Sequence, residues 1–398
     1  MAPAGANIAA TVPALPEDVL VEILLLLPAK LVLRYRAVSK QWRRLLSDPV
    51  FIRDHHRRAP RAILLNSTFV GMGISVLQFP YTDQSTVAPL YCGIPCQHTY
   101  LHGCCHGLLL FSCNCLEPHE IDTNGDVFRY FVCNPATREF TRLPASIGQQ
   151  VEFVGFYRHA PTAEYRVLCH NIHHPYKIYE YLVVAPGHHT ARRLGPSNLW
   201  MDTDFPLMDE SVIHRSCLHW MLWWRHMGIV VFDTISEEFR LMCGPVDSDT
   251  HADSMFGRLV GVDGTLGAPL FVADEGVLKL WVLESYEEEA WVLRYMIDTS
   301  LLDQGRRFFS ILLVHVSDEG DAVVMTFERK GVGVYNLRRG EVVSTMQKPF
   351  HDHLYETDHV YQESLLPLAS KGLGDPTPPS WQQPVTISSL DMLRAIRA

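Results

Sequence analysis

The chain reads as a mainly β protein with a small α module: a three-helix unit within residues 14–58, then a β-propeller of about six blades over residues 62–366. Three observations predict this. Before Arg61, apolar residues recur at the spacing of a helix face. After it, short apolar runs rich in β-branched and aromatic residues alternate with turn residues, which is the pattern of strands. One hairpin-like unit also returns at a near-constant interval, and that interval suits four-stranded blades of about 40–50 residues.

In the helical unit, Pro16 fits a first turn, where its missing N–H costs nothing. Val19, Leu20, Ile23, Leu24 and Leu27 then follow a helical stripe, and Pro28 ends the helix because it disfavours helical backbone in the residue before it. A second helix is predicted from about Ala29, with Leu31, Val32, Tyr35 and Val38 along one side. Ser39 is a good N-cap for a third that carries Trp42, Leu45 and Leu46, and Asp48-Pro49 repeats the cap signal before Val50, Phe51 and Ile52. So small a unit buries little surface alone. Its first helix is rich enough in leucine to need a cover, either a partner or the domain that follows.

Strands are predicted at 62–65, 107–111, 130–133, 167–170, 229–232, 278–283 and 311–316. The recurring unit is strand, turn, strand. It appears as Phe131-Val132-Cys133-Asn134-Pro135-Ala136-Thr137-Arg138-Glu139-Phe140 and again as Val230-Val231-Phe232-Asp233-Thr234-Ile235-Ser236-Glu237-Glu238-Phe239. Fainter copies lie around Ala185, Glu284 and Asn336, and a degenerate one falls near Thr82 to Thr86. The turn positions 134, 185, 233, 284 and 336 are separated by 51, 48, 51 and 52 residues. Six blades fit this count, with seven as the rival. Two packed β-sandwiches would also show frequent turns, but need not keep the period.

The N-terminal unit carries a family resemblance. Leu15-Pro16-Glu17-Asp18-Val19-Leu20-Val21-Glu22-Ile23-Leu24, then Leu27-Pro28-Ala29-Lys30, Val38-Ser39-Lys40-Gln41-Trp42-Arg43 and Ser47-Asp48-Pro49-Val50-Phe51-Ile52 resemble the plant form of the F-box. Ala37 stands where a cysteine is common and Leu31 where a small polar residue is common. The later segment is similar to the F-box-associated domain, whose members are kelch-like propellers. The matching pieces are Gly103-Cys104-Cys105-His106-Gly107-Leu108-Leu109-Leu110, the stretch from Cys133 to Phe140 with Leu143-Pro144, Cys217-Leu218-His219-Trp220, Ile229 to Thr234, and Leu280 to Glu284. Together the two resemblances cover about residues 15–366.

Composition bounds the rest. With 47% hydrophobic and 20% charged residues and a mean hydropathy of +0.02, the 398-residue chain belongs with globular proteins rather than disordered or collagenous ones. No apolar run reaches the ~20 residues of a membrane helix, and the first residues lack the basic start and apolar block of a secretory signal. Ten cysteines are then expected as free thiols in the cytoplasm or nucleus. The net charge is −10, yet residues 30–61 carry ten Lys or Arg against Asp48 and Asp54. Such asymmetry suits a nucleic acid, an acidic protein partner or merely a solvated face. Residues 1–13 are expected to be disordered. Residues 367–384, with five prolines, read as a linker, and residues 385–398 as a short helix or a disordered tail.

Candidate chemistry is sparse. Cys92, Cys96, Cys104, Cys105, Cys113 and Cys115 lie among His98, His102 and His106, with His119 beyond, and these are residue types that zinc favours. Their spacings contain no paired C-x2-C, and Cys104 and Cys105 would face opposite sides of a strand, so they read as small core residues. Asp122-Thr123-Asn124-Gly125-Asp126 opens like a calcium loop, but its twelfth position is Cys133 where a bidentate glutamate is needed. Trp220, Trp223 and Trp224 read as blade core. There is no nucleophile elbow, phosphate loop or zinc-protease helix. No catalytic, cofactor-binding or metal-binding residue is assigned.

The resemblance implies a non-catalytic substrate receptor of an SCF-type ubiquitin ligase. Leu15, Pro16, Leu20, Ile23, Leu24, Leu27, Pro28, Val38 and Trp42 would form or support contact with a Skp-type linker, and through it a cullin and a RING subunit. The propeller would bind an unidentified target protein, with no nucleic acid or membrane involved. Two alternatives stand beside this reading: a kelch-like propeller enzyme of the oxidase type, and nucleic-acid binding through residues 30–61.

Overall fold

The computed structural model describes residues 16–67, 74–78, 87–90, 99–113, 129–144, 147, 151–173, 178–194, 211–222, 228–245, 255–272, 275–298, 311–316, 321–326, 332–346 and 354–368. Among the described residues, four helices come first: α1 (Glu17–Leu25), α2 (Ala29–Tyr35), α3 (Lys40–Leu45) and α4 (Pro49–Arg58). The unit thus has one helix more than expected. The extra helix grows from the Asp48 cap: its carboxylate accepts a hydrogen bond from Val50 N at 2.7 Å, and Pro49 occupies the first turn. Ser39 caps α3 in the same way, accepting from Trp42 N at 3.1 Å.

Behind the helices, the described residues form six antiparallel sheets. The second sheet is representative, running in order from Thr99–Cys105 through Leu108–Cys113 and Arg129–Asn134 to Glu139–Arg142. The third begins at Val151–Arg158, the fourth at Val212–His214 and the sixth at Ile311–Val316. In the fifth, Met255–Phe256 and Val260–Val262 both pair with Thr265–Val272. The first sheet joins both ends of the β region: C-terminal strand Leu354–Gln362 lies beside Arg61–Ser67, followed by Ile74–Gln78 and Val87–Leu90.

Each sheet packs face to face on the next. Leu109, Phe111 and Cys133 of the second sheet meet Ala62, Leu64 and Tyr361 of the first, while Leu108, Leu110 and Val132 meet Val167, Cys169 and Leu182 of the third. Leu168, Val183 and Tyr157 pack against Leu218, Trp220 and Phe232 of the fourth, and Ile229, Val231 and Met242 against Leu266, Ala268 and Leu270 of the fifth. Val282 and Ile297 close against Val316 and Tyr335 of the sixth. Successive strand residues point to opposite faces, so a sheet buried on both sides needs unbroken apolar runs such as 108–111 and 229–232. That is why these segments read as continuous rather than alternating.

The period of about 50 residues has a specific cause. Each of the turn positions lies at the hairpin between the third and fourth strands of a sheet. Asn134 Oδ1 accepts from Ala136 N and Thr137 N, Asp233 Oδ1 accepts from Ile235 N and Ser236 N, and Asn336 Oδ1 accepts from Arg339 N. Four residues on, Arg138, Glu237 and Gly340 take positive φ of 62°, 58° and 65° and donate their N–H back to the carbonyl of the turn's first residue. A short polar side chain that bonds the backbone just ahead of it favours this turn, and these three positions share it, whereas Ala185 at the same hairpin of the third sheet has none. The degenerate copy near Thr82 to Thr86 lies outside the described residues.

Candidate functional site

The helical module has two faces with different fates. Its core is Leu24, Leu25, Ala29, Val32, Leu46, Phe51 and Ile52, joined by Leu365 from the far end of the chain. Arg36 donates to Leu46 O at 2.8 Å and His55 donates to Leu27 O at 2.8 Å, which satisfies carbonyls at two helix ends. Arg58 on α4 pairs with Glu22 on α1, and its guanidinium holds the exposed Glu22 carboxyl below the usual carboxylate range. One side of the module therefore rests on the β region.

The other side is open and apolar. Val19, Ile23 and Leu26 recur at helical spacing along α1 and just past its end, and they are 41%, 45% and 77% exposed. Val38 and Val50 are also exposed. Exposed Arg34, Lys40, Arg43 and Arg44 add positive charge on α2 and α3. A module that holds apolar side chains open on one helix and carries exposed basic ones on others suits a protein partner with an acidic, apolar face.

Among the residues expected at a partner contact, Pro16, Ile23, Pro28 and Val38 are exposed, and Leu20, Leu27 and Trp42 are half-buried against the core. Leu24 lies inside the core at 1% exposure, so its role is support. Leu15 lies outside the described residues. Val19, read as part of the helical stripe, and Val50, read after the Asp48 cap, were not assigned to the partner contact, and neither was Leu26. Val19 and Leu26 complete the stripe that starts from Ile23, and counting four residues back and three on from it would have found them.

The β region holds buried polar clusters. Glu237 on a third-to-fourth-strand turn pairs with Arg166 and Arg192 and accepts from Tyr157 Oη at 2.7 Å, which ties the third sheet to the fourth. His219 donates from Nδ1 to Val212 O at 3.2 Å, so its Nε2 accepts from Tyr286 Oη at 2.9 Å, and Arg240 donates to that same hydroxyl. Burial brings the His219 imidazole down to about 4, which favours the neutral ring this chain of bonds needs.

Of the cysteine cluster, Cys104 faces the packing between the first and second sheets, while Cys105 faces that between the second and third, on opposite sides of one strand. Burial pushes the Cys105 thiol up to about 12 and raises Cys104 as well, so neither is a ready thiolate. Among the described residues, no three His, Cys, Asp or Glu side chains are grouped as metal ligands would be. Cys92, Cys96, Cys115, His98, His119 and Asp122 to Asp126 lie outside the described residues, as do Trp223, Trp224 and residues 369–398. Trp220 is core, 1% exposed, and donates to Val154 O at 3.0 Å. No helix among the described residues is long and apolar enough to cross a membrane.

Comparison with known proteins agrees with this arrangement. Residues 12–58 match the F-box-like family, and residues 73–363 match the F-box associated beta propeller domain. The chain is similar to F-box protein At5g07610 of Arabidopsis thaliana, with 24% identity over 73% of this chain and 71% of that protein. It is also similar to F-box protein At1g47340 of the same plant, with 25% identity over 85% and 76% respectively. The periplasmic gluconolactonase PpgL of Pseudomonas aeruginosa aligns over 72% of this chain and 95% of its own with 12% identity and a TM-score of 0.37. With the family matches covering both the helices and the sheets, this chain belongs to the F-box proteins that carry an F-box associated beta propeller domain.

Proposed function

We propose that the protein is the substrate-recruiting subunit of an SCF-type ubiquitin ligase, acting in the cytosol or nucleus. Residues 14–58 dock on a Skp-type linker, which brings a cullin and a RING subunit, and residues 62–366 bind the target. The observation that carries this reading is the open stripe of Val19, Ile23 and Leu26 on a helix that packs Leu24 and Leu25 into the module core on its other side. Pro16, Pro28 and Val38 are exposed on the same module, Leu20, Leu27 and Trp42 are half-buried against its core, and Leu15 precedes the stripe in the chain. Burying three such side chains supplies on the order of 5 kcal/mol, enough to anchor a specific interface.

Such a receptor needs no acid, base or nucleophile. It raises the local concentration of the target near the ubiquitin-charged enzyme and holds it there. The test is co-expression with a Skp-type linker, followed by size exclusion. Wild type is expected to elute as a one-to-one complex and Ile23→Asp/Leu26→Asp as free, folded protein. These two positions are better choices than Leu20, whose half-buried side chain also supports the core. A folded wild type that fails to bind would end the adaptor reading.

A further inference from the structure

Residues 363–366 follow the last strand and run between the helical module and the second sheet, making contacts upward and downward. Upward, Leu365 is fully buried in the core of the helical module, although some three hundred residues of chain separate it from Leu24 and Phe51. Glu363 Oε2 accepts from Ala29 N at 2.8 Å. Ala29 opens α2, and the preceding Pro28 offers no capping side chain, so Glu363 supplies the missing cap from across the interface. His56 donates from Nδ1 to Glu363 O at 2.9 Å, and Gln362 donates to Ala59 O at 2.9 Å.

Downward, the segment is held chiefly by Asn134. Its amide nitrogen donates to Ser364 O at 3.0 Å and Leu366 O at 2.8 Å, while its amide oxygen makes the turn bonds to Ala136 and Thr137. Glu139 accepts from Leu368 N at 2.8 Å. The segment also passes so close to Gly107 that a Cβ there would lie 2.6 Å from Ser364 Cβ, and 2.5 Å from the carbonyl oxygen of Gln362 just before it. Asp233 occupies the position equivalent to Asn134 two sheets on and makes the same turn bonds with its carboxylate. Only an amide can both form the turn and donate to the two carbonyls.

We propose that residues 363–366 are a strap that sets the angle between the F-box helices and the β domain, and that Asn134 is the positioning residue that anchors it. The consequence for ubiquitin transfer rests on the adaptor reading, because a fixed angle sets where the bound target meets the ligase. The strap itself does not depend on that reading.

The experiment is single-molecule energy transfer on the full chain. Dyes are placed through keto amino acids at the exposed positions Arg57 and Glu284, chemically distinct from the native cysteines. Wild type and Asp233→Asn are expected to give one narrow distribution. Asn134→Asp keeps the turn but loses both donors to the strap, and it is expected to give a broad distribution with β circular dichroism and linker binding retained. A narrow distribution in folded Asn134→Asp overturns the proposal. If that variant fails to fold, Glu363→Ala decides, since it removes only the bond to Ala29 N. Broadening there supports the strap, and a distribution as narrow as wild type refutes it. Loss of linker binding in wild type would strike the adaptor reading and leave this readout intact.

Discussion

Replacing Gly107 by alanine separates backbone strain from the close approach of the C-terminal segment. Gly107 and Gly264 both close two-residue hairpins between first and second strands, with φ of +78° and +76°. Both preceding residues, His106 and Asp263, also have positive φ, as this hairpin type demands. Alanine at either site pays the left-handed penalty of about 1–2 kcal/mol. The surroundings differ. A Cβ at Gly264 meets nothing within 4 Å, whereas at Gly107 it would lie 2.5 Å from Gln362 O and 2.6 Å from Ser364 Cβ. Relieving that overlap displaces the segment, adding about 1–3 kcal/mol of overpacking and the loss of one or two hydrogen bonds at about 1 kcal/mol each. Gly107→Ala is therefore expected to cost about 3–7 kcal/mol and Gly264→Ala about 1–2 kcal/mol. Urea unfolding followed by tryptophan fluorescence measures both. Equal losses would refute the argument that the segment's packing requires glycine at 107.

Two further predictions concern the buried polar groups. Burial brings His170 and His219 down to about 4 and His359 to about 3. The unfolded chain takes up protons below about 6.5 while the folded one does not, so this stability is complete above that pH and is lost as the pH falls toward 4. By pH 5 the loss is about 2 kcal/mol for each of the three, and urea midpoints at pH 7 and 5 should show it; pH-independent midpoints would refute it. Glu237→Gln leaves Arg166 and Arg192 without their shared carboxylate. Because Glu164 still pairs with Arg166, the expected loss is about 2–3 kcal/mol, below that of a fully broken buried pair; a loss under 1 kcal/mol in the same assay would show the cluster to be dispensable.

What the sequence made legible follows from how local each signal is. The turns at Asn134, Asp233 and Asn336 declare themselves because one short polar side chain bonds backbone within three residues of itself, and the repeat then reveals the sheet count. The Ser39 and Asp48 caps are legible for the same reason, though the full reach of α4 is masked by its charged end, Arg53 to Arg58. Which face of α1 stays open was not legible. The helix is apolar on two sides, and only the packed structure shows Leu24 inside while Ile23 remains open. The strap was the least legible feature. Leu365 and Leu366 looked like the end of the β domain, since nothing near them in the chain hints that their cover is a helical core at the opposite terminus.

The most direct test of the account is hydrogen–deuterium exchange on the full-length protein with and without a Skp-type linker. The account predicts that protection appears in peptides spanning residues 17–26 and 29–35, centred on Val19, Ile23 and Leu26, while the strands exchange as before. Protection confined to the sheets, or no protection at saturating linker, would contradict it.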